Sequence, residues 1–278
     1  MACDPATQVD LLLSHETLLQ QAVTRVTHDQ RTRTVIVSED GVGSTAFVDR
    51  LRQRLAERTG SGEVLATCAP AIHVRAKHTP AAFCVEVLRA ALFMRKSYEV
   101  RAIAADTLAD SHAITSLVGA VATLGAFWDR VALIVEERQR IDSASECRQS
   151  GPNGSTPTHE AGYVPTPSAS ALLQLAAVAI RVAARELDRG LVFFVELPSA
   201  VSLDDGRLAA GLCQDVRDLL LTDSSRWVVS GSRHADRLIL RASSQVRSIF
   251  PMPLVVPPSW GDEVGVAGAR LGRTAKDK

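Results

Sequence analysis

The stretch Val35-Ile36-Val37-Ser38-Glu39-Asp40-Gly41-Val42-Gly43-Ser44-Thr45 constrains this chain more than any other. A β-branched run stops at a glycine-containing turn, and a helical pattern opens at Thr45. Strand, glycine loop and helix N-terminus in that order make an anion cradle, because backbone N–H groups and the helix dipole converge on one point. The phosphate-cradling pattern is G-x-x-x-x-G-K-[ST]. Laid over Ser38 to Thr45, it is met by Gly43 and Thr45, with Gly41 a further glycine at one of its free positions, while Ser38 takes the first glycine's place and Ser44 the lysine's. The frame of a phosphate site is present without its main positive charge.

The rest of the chain alternates helical and extended patterns. Ser14 is placed to cap a helix with Glu16 in its first turn, and Leu18, Leu19, Ala22, Val23 and Val26 follow on one face. After the Thr34–Ser38 strand and the loop, the next helix is expected to bury Phe47, Val48, Leu51 and Leu55 and to stop at Gly60. A strand is predicted near Ile72 to Ala76, then a helix with Phe83, Val87, Leu88, Ala91 and Leu92 inward. Residues 100–141 are helical in pattern. A helix from Ala169 to Asp188, ended by Gly190, leads to the apolar strand Leu191–Val195. The next helix follows Asp204 and Asp205, with Leu208, Leu212, Cys213, Val216, Leu219 and Leu220 inward. Strands are predicted at Trp227–Val229 and, as a proline-interrupted edge, over Val246–Val256. Such alternation argues for a doubly wound parallel sheet. Ser, Thr, Pro and Gly crowd 143–168, which divides the chain into an N-terminal half at 1–142, a flexible linker at 143–168, a C-terminal half of the same domain at 169–256 and a tail at 257–278.

Charge and cysteine usage narrow the function classes. With 31 basic and 31 acidic residues the chain has no global field to hold nucleic acid. Arg270, Arg273, Lys276 and Lys278 read as a solvated basic terminus. The five cysteines show no C-x-x-C spacing, which fits a reducing cytosol better than a disulfide framework. Met1–Asp10 lacks the basic-then-apolar order of a signal peptide, and the most apolar helix pattern, Ala169–Ala184, is broken by Gln174 and Arg181. The expectation is a cytoplasmic protein outside the membrane.

Three pieces in order carry a resemblance: Leu13-Ser14-His15-Glu16-Thr17-Leu18 ahead of the glycine loop, the apolar strand ending in Glu196-Leu197, and Trp227-Val228-Val229-Ser230-Gly231-Ser232. Together they resemble the AAA+ ATPases, in particular the bacterial origin-recognition-like and STAND-type branch. The resemblance implies a three-layer, P-loop NTPase-like fold with a five-stranded parallel sheet and helices on both faces. It also implies ATP as ligand, Mg²⁺ as cofactor, and self-association or a protein partner. It would give Gly41, Val42, Gly43, Ser44 and Thr45 to nucleotide binding, Thr45 to Mg²⁺, Glu196 to catalysis, Ser230 to the sensor position and Arg247 to the arginine finger. The departures are specific. Ser44 replaces the lysine, Val195 stands where the family has the first acid of a pair, and only Glu16 fits the N-terminal box. About twenty residues follow the last predicted strand, so a fold without the family's C-terminal helical lid is the expectation. Two functions remain open: a degenerate, regulatory ATP-binding protein with little or no hydrolysis, and a pseudo-ATPase that serves as a protein-interaction module.

Overall fold

The computed structural model describes residues 5–28, 33–39, 42–57, 65–67, 71–75, 78–97, 124–149, 167–198 and 201–257. In chain order they form α1 (Pro5–His28), β1 (Arg33–Ser38), α2 (Val42–Glu57), β2 (Leu65–Thr67), β3 (Ile72–His73), α3 (Pro80–Ser97), α4 (Leu124–Gln149), α5 (Ala169–Leu187) and β4 (Gly190–Glu196). There follow α6 (Leu203–Asp215), α7 (Arg217–Leu220), β5 (Ser225–Ser232), the short α8 (Arg233–Ala235), a π-helical turn at Asp236–Leu240, α9 (Ser244–Ile249) and β6 (Leu254–Val256).

Every strand pairing among the described residues is parallel, in the order β2-β4-β5-β1-β6. β2 pairs with the start of β4 and β3 with its end, so the two follow one another along the same edge. β5 is buried at each of its positions, its polar residues included, as strands are when helices cover both faces.

The crossovers decide which face each helix covers. The chain leaves β1 in one direction through α2 and returns from β3 to β4, β5 and β6 in the other. Right-handed crossovers of opposite direction put their helices on opposite faces. The side chains agree. The Arg52 guanidinium of α2 lies 4.5 Å from the Phe194 ring centre. Phe193, one residue earlier, stacks at 4.6 Å on Trp227, which meets Phe83 of α3 at 6.4 Å. Even-numbered residues of β4 therefore face α2, and odd-numbered ones face α3. Between α3, α4 and α5, buried Glu186 of α5 accepts from Trp128 Nε1 of α4 at 2.7 Å and from Arg95 Nε of α3 at 2.9 Å. No helix among the described residues is long and apolar enough to cross a membrane.

Several boundaries differ from the sequence expectation. α2 opens at Val42, ahead of Thr45. α4 runs on to Gln149, through the first residues assigned to the linker, where Ala144, Glu146, Arg148 and Gln149 are good helix formers. The remainder of the linker, at 150–166, lies outside the described residues, as does the tail beyond 257. α5 ends on Asp188 in the left-handed conformation (φ 49°, ψ 46°), and Gly190 instead begins β4. Leu208 is 56% exposed, because α6 turns Ala209, Leu212 and Cys213 inward. Val246–Ile249 is helical rather than extended: Ser243 caps α9 by accepting from Val246 N–H.

Candidate functional site

In an open parallel sheet, a crevice forms beyond the carboxyl ends of neighbouring strands whose connections leave to opposite faces. β1 and β5 are such a pair, with Ser38 opposite Ser232 in register. The candidate loop hangs from this point. Ser38 Oγ is buried at its root without a hydrogen-bond partner among the described residues. Gly41 lies outside the described residues, and Val42 begins α2. At Gly43, an added Cβ would fill the space between Ser38 Cβ at 3.7 Å and Pro257 O and Val256 Cγ1 at 3.6 Å. Ser44 is buried in the first turn, whereas Thr45 is exposed. No acidic residue stands in that turn, so the positive end of the helix dipole is not neutralised from within the helix.

Thr45 is joined to the second strand over. Its hydroxyl donates to Glu196 Oε1 at 3.4 Å. The strand parity explains the meeting: Glu196 ends β4 on the α2 face. Val195 and Leu197 point the other way, into an apolar lining shared with Val74, Phe83, Val229 and Leu240. Ser230 is opposite Glu196 in register, and its hydroxyl donates to the Val195 carbonyl at 3.5 Å. Arg247 is exposed on α9, which feeds the amino end of β6, and it has no side-chain partner among the described residues. Glu16 pairs with Arg54 at 2.9 Å, ten residues along α2 from Ser44, or about 15 Å down the helix axis. The structure thus brings Gly43, Ser44, Thr45 and Glu196 together at one edge and leaves Arg247 and Glu16 away from it.

Two residues that the sequence reading passed over join the crevice. Arg233 follows Ser232 at the end of β5, and its Nη1 lies 2.7 Å from Glu39 Oε1 of the loop. His73 ends β3 opposite Glu196, with Nδ1 3.2 Å from Glu196 Oε2. The signal available for both was a polar residue at the carboxyl end of a short extended run, which is too common to single out. The edge therefore offers helix amides, a hydroxyl and a guanidinium to an anion, and a carboxylate to a cation. Among the described residues, no three His, Cys, Asp or Glu side chains gather closely enough to hold a metal by themselves. Comparison with protein-family models finds no match, and comparison with curated proteins finds none.

Proposed function

We propose that this crevice binds a nucleoside triphosphate, ATP by the family resemblance, and that the protein works as a regulatory nucleotide-binding module with hydrolysis at or near background. The observation that supports this best is the Thr45–Glu196 hydrogen bond. It sets the first turn of the helix after the glycine loop against an acidic strand end two strands away in the sheet. The α2 amides receive the phosphates, and Arg233 offers the cation that Ser44 does not.

The donor set also fits Mg²⁺, which takes hard oxygen ligands and fills its remaining positions with phosphate oxygens and water. Thr45 Oγ1 and Glu196 are the groups that would hold it, and when bound it neutralises charge on the phosphates. Glu196, which the resemblance would make the catalytic residue, thereby serves the metal side. A general base must reach the attacking water. The residues on either side of Glu196, Val195 and Leu197, are buried on the far face of the strand, so no second carboxylate beside it can do so.

A thermal melt with millimolar Mg-ATP tests the proposal, since a ligand that binds only the folded state raises the melting temperature. At a hundred times Kd the gain is about 2.7 kcal/mol. An unchanged melting temperature, with no heat of binding by calorimetry, would leave the interaction module as the reading of the fold. Rapid Mg²⁺-dependent turnover abolished by Glu196→Gln would overturn the near-background hydrolysis.

A further inference from the structure

β3 and β4 pair in register at His73 and Glu196, so the two side chains leave the sheet edge side by side on one face. One oxygen of the carboxylate, Oε2, lies 3.2 Å from His73 Nδ1, and the other, Oε1, accepts from Thr45 at 3.4 Å. An imidazole nitrogen and a hydroxyl from two further elements thus meet one carboxylate, each at a different oxygen.

We propose that His73 is a direct ligand of the divalent ion in this crevice, and that the ion taken with the triphosphate is one that accepts imidazole, Mn²⁺ before Mg²⁺. The inference rests on the nucleotide reading above, because the triphosphate must complete the coordination. Bonds of roughly 2.1 Å put neighbouring donors of an octahedral ion about 3 Å apart. The Nδ1–Oε2 and Oγ1–Oε1 separations are close to that. Mg²⁺ favours oxygen donors and gives up water reluctantly, whereas later divalent ions bind imidazole more strongly. Coordination through Nδ1 needs a neutral ring with its proton on Nε2. The His73 side chain is 60% exposed, so Nε2–H can be met by water.

The rival role is a histidine that only hydrogen-bonds the carboxylate, and pulsed electron paramagnetic resonance separates the two. The full chain with MnCl₂ and ATP should show ¹⁴N modulation from the ring, lost in His73→Gln. By calorimetry, the preference for Mn²⁺ over Mg²⁺ should fall in the same variant. A wild-type spectrum without nitrogen modulation, a nitrogen signal that survives in His73→Gln, or an unchanged ion preference would each overturn the assignment while leaving ATP binding in place. If the wild type binds ATP with neither ion, the nucleotide reading itself fails and His73 loses its role with it.

Discussion

Gly231 sits in the last turn-free stretch of β5, beside Val37 of β1 and one residue beyond the partner of Glu196. An added Cβ there would stand 2.9 Å from Leu197 Cβ and 3.5 Å from its Cγ and Cδ1. The closest atom is a Cβ, which no rotamer change can move. Leu197 N–H donates to Ser230 O at 2.8 Å, so its backbone is tied to β5 as well. Relief must come from a shift of paired backbone, and overpacking of that kind costs about 1–3 kcal/mol. Removing a glycine from the unfolded chain offsets roughly 0.5–1 kcal/mol of this. Gly231→Ala should therefore destabilise the protein by about 1–2 kcal/mol in urea denaturation. Gly211, on the outer face of α6, meets nothing within 4 Å, so Gly211→Ala should stabilise by roughly 0.5–1 kcal/mol. The pair is a test of sign. A Gly231→Ala protein as stable as the wild type, or a shared direction for both variants, would refute the packing argument at the edge that carries Glu196.

Other expectations follow from single contacts. Glu186→Leu strips the partner from the buried Trp128 indole N–H and from Arg95 and should cost about 2–4 kcal/mol, with Glu186→Gln costing less, by denaturant titration. Burial pushes the thiols of Cys84 and Cys213 up to about 12. The unfolded thiols ionise near 9 and the folded ones do not, so the unfolded state holds fewer protons and stability falls as pH rises from about 9 toward 12. Denaturation at pH 8 and pH 10 should show the loss, and replacing both cysteines with alanine should shrink it. Ser44→Lys should tighten Mg-ATP binding about 10- to 150-fold by calorimetry, the contribution of one charge-assisted phosphate contact. An unchanged affinity would show that the first turn of α2 does not face the phosphates.

The fold was legible wherever one segment determines its own element. Val35–Val37, Leu191–Val195 and Trp227–Val229 are continuous apolar runs, and each is a buried parallel strand. β2 was missed because Leu65–Thr67 has too few residues to show a period. α9 was missed because Val246 and Ile249 belong to a stretch, Val246–Val256, rich in β-branched and proline residues, and the capping Ser243 lies just ahead of it. The candidate site was half legible. The loop announces itself within one short segment. Arg233 and His73 belong to it only because β5 lies beside β1 and β3 beside the end of β4, and the order of strands in a sheet is not written in any one of them.

Strand parity bears on where the family's missing acid would stand. Placing the missing acid at Val195 suggests that Val195→Asp would restore metal dependence. Side chains alternate faces along a strand, and Val195 is 4% exposed on the α3 face, among Val74, Phe83, Leu212 and Val229. A carboxylate there cannot reach Thr45, which meets Glu196 on the opposite face. It would instead lie unpaired among apolar side chains, a burial that costs several kcal/mol or forces the group to stay protonated. Val195→Asp should therefore lower stability by about 3–5 kcal/mol and leave the Mg²⁺ dependence of ATP binding no stronger than in the wild type. Glu196→Ala, at the half-exposed strand end, should cost little stability and abolish that dependence. A stable Val195→Asp protein with stronger Mg²⁺ dependence would mean that β4 presents the other face to the loop, and the assignment of Glu196 to the metal side would fall with it.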